Sequence, residues 1–314
     1  LKPESNLLLA LGLARFLLPG DLATPATQES VVPILAQALP ADWLPGSVQG
    51  DLIAHLPAPT LRDHLPLWIH VARNPSSPVQ PAAVWALGFA GGHEAASALE
   101  EVLRNPGNSV PIRADALIAR AMASTHDIEF AKPFAESTEP DIRHAARLVL
   151  GRTRDGEATD RPTSLAEWQA AVATGGNPAR GRRLFLSPQI GCAKCHTAEG
   201  RGARSAPSLL PSPTPSSRAA LVESILEPSV RITPGFESWI VETQEENTLT
   251  GILARRAPNG DVLLIESSGQ PRRIPAADVT QFGPLPQSLM PEGMVETLSV
   301  QDLRDLVAFL TPTP

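Results

Sequence analysis

Apolar residues recur at steps of three and four through most of the first half of the chain, the spacing that lines one face of an α-helix. Stretches 31–39, 48–56, 61–72 and 82–90 carry the pattern most clearly. Residues 7–18 carry it behind Ser5, a residue type that caps helix starts. After residue 236 the period changes. Segments 238–243, 248–254, 261–266 and 271–274 are short, rich in Ile, Val, Leu and Thr, and read as strands. Asn259-Gly260 is a two-residue hairpin turn, and Ser268-Gly269 marks another. Helical spacing returns behind Ser299, with Leu306 and Phe309 three apart.

The helical half repeats itself. Residues 79–87 (VQPAAVWAL) return as 112–120 (IRADALIAR) and again as 142–150 (IRHAARLVL), a period of about 30 to 33 residues. Small alanines on one face let the second helix of each pair lie close, and the pattern resembles HEAT-type repeats. Residues 152–163 (RTRDGEATDRPT) are charged and aperiodic, and read as a linker. The expected organisation is therefore helical repeats over 1–151, a linker over 152–163 and a second domain over 164–314. That domain opens with a short helix at 165–172 bearing Trp168 on its apolar face. Gly175-Gly176 then breaks the chain before a helix started by Asn177-Pro178. Gly181 and Phe185 share a face of that helix, and Gly181 lets the final helix approach, with Phe185 and Phe309 as packed rings.

Composition narrows the class without naming a chemistry. Hydrophobic residues make up 42% of the 314, aromatics only 4% with no tyrosine, and there are 33 prolines, which favours short helices with proline-marked ends. A net charge of −7 argues against a nucleic-acid partner. No apolar run reaches the roughly 18 to 20 residues that span a bilayer. Residues 7–18 come nearest but contain Arg15; they read either as the apolar region of an export signal or, preferably, as an amphipathic first helix. A chain that opens at Leu1 without methionine is expected to be processed or a piece of something longer.

The chemistry sits in Cys192-Ala193-Lys194-Cys195-His196. This is C-x-x-C-H, the spacing that fastens a c-type haem: each cysteine adds to one vinyl group, and the adjoining histidine becomes the proximal iron ligand. Gly191 permits the tight entry. A structural zinc site wants four ligands, and the chain has no third cysteine. A thioredoxin-like pair needs a surrounding β-α-β pattern, which is missing. Covalent haem attachment places the chain outside the cytoplasm, in the periplasm or elsewhere in the cell envelope.

The iron then needs a second ligand or an open position. The other histidines, His55, His64, His70, His93, His126 and His144, all fall in the helical half. Of the methionines, Met122, Met290 and Met294, only Met290 lies in an irregular proline/glycine loop, Ser288-Leu289-Met290-Pro291-Glu292-Gly293, just ahead of the last helix. A thioether there favours Fe(II) and raises the reduction potential, which suits an electron carrier. Gap-filling in a core is the plainer reading, and for Met294 it is preferred. Pro207, about ten residues after His196, is the candidate carbonyl to accept the histidine Nδ1–H. Arg180, Arg182, Arg183, Lys194, Arg201 and Arg204 surround the motif with Glu199 the only acid. They read either as a docking rim for an anionic redox partner or as solvated cations that neutralise haem propionates.

At this point the second half resembles the PVC-type haem-binding domain, a class I cytochrome c variant found at the C-terminus of large multidomain bacterial proteins. The matching stretches run from Trp168 through Gly181-Arg182-Arg183-Leu184-Phe185 and Gly191 to His196. They continue with Ile225-Leu226-Glu227-Pro228-Ser229, Ile232-Thr233-Pro234-Gly235-Phe236-Glu237, Ser288 to Gly293, and Asp305-Leu306 to Leu310. The resemblance implies Cys192 and Cys195 as attachment points and His196 and Met290 as axial ligands. There are departures: Ala206-Pro207-Ser208-Leu209 stands where Gly-Pro-Asp-Leu is usual, and Phe236 and Phe309 stand where tyrosine is common. The expected fold is mainly α: HEAT-like repeats, then a class I cytochrome c fold with a small antiparallel insertion at about 236–280. The expected function is electron transfer by one covalent haem c, without an enzymatic activity of its own. The carrier would act with redox partner proteins, as a domain or subunit of a larger complex. Two rivals stand beside it: a haem enzyme or sensor with an open sixth position, and a partner-binding scaffold in which haem is structural.

Overall fold

A computed structural model describes residues 56, 58–154, 161–199, 201–202, 205–210, 217–245, 247–266 and 270–311. The expected helices at 7–18 and 31–39, most of 48–56, the turn at Ser268-Gly269, much of the 152–163 linker and Arg204 lie outside the described residues. The chain forms two compact units. One comprises Leu1–Arg152 with Ser187–Gln189 and Glu199–Arg201; the other comprises Thr153–Leu186, Ile190–Ala198 and Gly202–Pro314.

In the first unit the described helices are α1 (Ala58–Asp63), α2 (Leu65–Ala72), α3 (Gln80–Ala90), α4 (His93–Arg104), α5 (Val110–Ala123) and α6 (Pro140–Val149). Helices α2, α3, α5 and α6 each begin with proline in the first turn, where its missing N–H would have no intrahelical partner anyway. Burial follows the helical period: α4 hides Ala95, Ala96, Ala98, Leu99, Val102 and Leu103, with its charges on the other side. Gly88 lets α3 and α5 nearly touch, since a Cβ there would sit 3.0 Å from Ala119 Cα. A buried amide pair ties the first residue of α3 to the turn before α5. Gln80 Nε2 donates to Ala72 O at 2.9 Å and to Asn108 Oδ1 at 2.8 Å, while Asn108 Nδ2 donates to Val102 O at 2.8 Å. The third pair departs from the first two. Its leading member is a 3₁₀ turn, Glu129–Phe134, with Pro133 inside it, and proline there removes the donor an α-helix would need.

The second unit contains α7 (Leu165–Ala171), α8 (Pro178–Leu186), α9 (Arg218–Leu226) and α10 (Val300–Leu310). Ser164 with Glu167, and Ser299 with Asp302, form reciprocal capping boxes that start α7 and α10. Helices α8 and α10 cross at contact distance. A Cβ on Gly181 would lie 2.0 Å from Asp305 O and 2.7 Å from Phe309 Cβ. Phe185 and Phe309 pack as tilted rings 5.8 Å apart, and Asp305 Oδ1 accepts the Asn177 N–H at 2.7 Å.

The expectation of a mainly α chain, HEAT-like repeats followed by a class I cytochrome c fold with a small insertion, is corrected by the sheet. Among the described residues 48% are helical and 14% lie in strands, so the chain is a mixture of α and β. Five antiparallel strands, β1 (Ser238–Thr243), β2 (Thr248–Arg256), β3 (Val262–Ile265), β4 (Pro271–Ile274) and β5 (Val279–Leu285), pair in the order β4-β3-β2-β1-β5. Four of them form a meander. The fifth follows a 3₁₀ turn at Ala276–Asp278 and returns to pair with β1, Ser238 opposite Leu285 and Val241 opposite Phe282. The sheet has a core of its own: Val241, Val262, Leu264 and Ile274, flanked by Trp239 stacked on Phe282 with centroids 4.7 Å apart. With that core it is a structural layer in its own right, where a small antiparallel insertion at about 236–280 was expected.

Candidate functional site

Helix α8 ends at Leu186, and a short run leads to Gly191, which is left-handed at φ 83°. Only glycine takes that conformation without strain, and it turns the chain straight into a 3₁₀ turn, Cys192–Lys194. The turn closes on one carbonyl: Cys192 O accepts the N–H of Cys195 at 3.2 Å and of His196 at 3.0 Å. Neither cysteine is in a disulfide, and both are half-buried. Burial pushes the Cys192 thiol up to about 12, with the neighbouring Cys195 adding to the rise and a backbone hydrogen bond opposing it.

Beyond His196 the chain loops out and comes back. Leu209 N–H donates to Thr197 O at 2.8 Å, and Ala198 forms a parallel bridge with Leu210. That return sets Pro207 beside the imidazole: His196 Nδ1 lies 2.8 Å from Pro207 O. A carbonyl oxygen has no hydrogen to give, so Nδ1 carries the proton. Burial pushes the imidazole below its ordinary value, against the opposing pull of the Pro207 bond, so the ring is neutral at pH 7 and Nε2 keeps its lone pair. Gly202 is part of the same device. At φ 114° a Cβ on it would overlap His196 O at 1.9 Å, so the returning loop presses its backbone onto the histidine. Sequence reading missed Gly202; its signal was a glycine six residues past the motif.

The structure thus brings Cys192, Cys195, His196 and Pro207 into one turn and loop. Met290 belongs to a different segment, between β5 and a 3₁₀ turn at Met294–Thr297. It is half-buried, and its N–H donates to Ser288 Oγ at 3.1 Å. Among the described residues the polar contacts of that loop run to Ser229, with none to His196 or Pro207. Met294 is also half-buried, and its carbonyl accepts Thr297 Oγ1–H at 2.8 Å.

The basic rim needs correction. Arg183 is 1% exposed and Arg201 8%, so neither belongs to a solvated surface, and of the five described cations Lys194 alone is exposed. Charge suggested the surface; position on the inner faces of packed segments decided otherwise. Among the described residues no three His, Cys, Asp or Glu side chains gather closely enough to share a metal ion, and no helix is long and apolar enough to cross a membrane. Chemically, the turn offers two thiols for alkylation and one imidazole nitrogen for coordination. Compared with known proteins, the chain matches no family model and no curated protein.

Proposed function

We propose that the chain binds one haem covalently through Cys192 and Cys195 and serves as an extracytoplasmic electron carrier, with His196 and Met290 as axial ligands. The observation that carries the reading is the His196–Pro207 bond of 2.8 Å within a C-x-x-C-H turn. An imidazole that donates from Nδ1 is fixed in the tautomer whose Nε2 can ligate, and the same bond raises its basicity. The residues present fit the group. Two cysteines that form no disulfide lie in one turn with the histidine, and the loop at Gly202 packs so directly on the histidine backbone that a Cβ there would meet His196 O at 1.9 Å. When bound, haem supplies a one-electron couple at its iron. The cysteines would hold it against loss, His196 would give a firm nitrogen ligand, and the soft Met290 sulfur would favour the reduced form. We also propose kinship with PVC-type haem-binding domains on the stretches quoted above. Redox proteins are the expected partners, with this chain a carrier domain or subunit and not itself an enzyme.

The test is expression alongside a haem-attachment apparatus, followed by intact mass and a reduced-state spectrum. The expected result is one porphyrin adduct and a c-type α-band, both lost in the C192A/C195A variant. Addition of carbon monoxide to the reduced protein should leave the spectrum unchanged. A chain that gains no porphyrin overturns the proposal; an adduct whose spectrum shifts with carbon monoxide replaces the carrier by a haem enzyme or sensor with an open position.

A further inference from the structure

We infer that Ser229 is a positioning residue for Met290: one hydroxyl on the turn after α9 holds the methionine loop in place. The inference rests on the reading of Met290 as the second axial ligand. Ser229 follows the buried Pro228, two residues beyond the end of α9. Its Oγ accepts the Ser288 N–H at 3.2 Å and donates toward Glu292 Oε1 at 3.5 Å. Ser288 Oγ in turn accepts the Met290 N–H at 3.1 Å. Among the described residues these three are the hydrogen bonds of segment 286–292. Pro291 has no N–H to add another. The loop therefore hangs from Ser229 on one side and Ser288 on the other, with Met290 at the end of the relay.

The chemistry requires a group that accepts and donates at once, which a hydroxyl does and a methyl does not. A thioether is a weak, neutral ligand, so its occupancy of an iron depends on how little freedom its loop must give up on binding. Pre-fixing the backbone at 288 and 290 lowers that cost.

The test compares S229A and S229T in the haem-loaded protein, following the sulfur-to-iron charge-transfer band of the oxidised state as pH rises. Loss of one hydrogen bond corresponds to about a fivefold shift toward the sulfur-free state. For a one-proton exchange this lowers the pH of half-loss in S229A by about 0.7 unit. S229T keeps the hydroxyl and should return the profile to that of the parent. S288A cuts the Met290 tie while leaving the Ser229 bond to the Ser288 N–H, and should shift the profile the same way. If S229A does not load haem, S229V, which matches threonine in shape but lacks the hydroxyl, decides against S229T. A profile unmoved in either loaded variant, even with a lowered melting temperature, overturns the positioning role and leaves the haem assignment standing. A parent protein with haem but no such band overturns Met290 as ligand, and the role of Ser229 with it.

Discussion

Replacing Gly181 by alanine tests the helix crossing that frames the second unit. Gly181 has ordinary helical geometry, so the effect is purely steric. The new Cβ would lie 2.0 Å from Asp305 O, and ordinary contact starts at 3.4 Å, so α8 and α10 must part by about 1.4 Å at that point. Overpacking of this kind costs about 1–3 kcal/mol. The Phe185–Phe309 pair, already at 5.8 Å, moves toward the ~7 Å limit of useful ring contact, which forfeits about 1 kcal/mol. The Asn177 N–H bond to Asp305 Oδ1, 2.7 Å long, stretches with it and loses roughly another 1 kcal/mol. Against this, alanine gains about 1 kcal/mol over glycine in a helix. The net is about 3 kcal/mol of destabilisation, or roughly 6–12 °C in melting temperature for a domain of this size. Differential scanning calorimetry reads it directly. Gly283 is the control: nothing lies within 4 Å of a Cβ there, so G283A should change stability by less than about 0.5 kcal/mol. A G181A protein that melts within 2 °C of the parent would refute the close-contact argument.

Three further outcomes are expected. G202A forces a side chain against His196 O at φ 114°; in the haem-free chain, ring ¹⁵N shifts should show the Nδ1–H form of His196 depleted, and unchanged shifts would contradict the loop's role. Cys192, pushed up to about 12 by burial, should react with iodoacetamide at pH 8.5 roughly a hundredfold more slowly in the folded haem-free chain than in urea; equal rates would disprove the burial. Asp261 is held below the usual carboxylate range by the Ala276 N–H, by Arg273 and by Asn259. Its folded value is depressed, so its stabilisation is present above about pH 4 and is lost as pH falls through the folded value. D261N should therefore flatten the acid limb of the melting-temperature profile, and an unaltered limb would count against the Asp261–Arg273 pairing at 2.9 Å.

The features legible in the sequence were those set by local chemistry. Proline at helix starts, Gly181 facing Phe309 and the alternating residues of β1 to β4 all act within a turn or on one face. The fifth strand was hidden by its own composition. Gly283 and Pro284 are poor strand formers, yet among the described residues β5 is an edge strand paired with β1, and an edge tolerates a proline whose missing N–H points away from the ladder. Charge misled in the same way at Arg183, because polarity alone does not say which face of a helix will be covered. Pro207 was readable because a ring nitrogen needs a nearby acceptor. Ser229 was not, since its 59-residue reach to Ser288 depends on how the sheet folds back.

The sheet's last strand has a mechanical consequence. Strand β5 ends at Leu285, only five positions before Met290, whereas His196 precedes the whole sheet and is braced by its own returning loop. Fraying of β5 from β1 would slacken the thioether arm and leave the imidazole arm taut. Denaturant should then detach the two sides of the proposed iron in sequence, sulfur first, with the strand acting as the fuse.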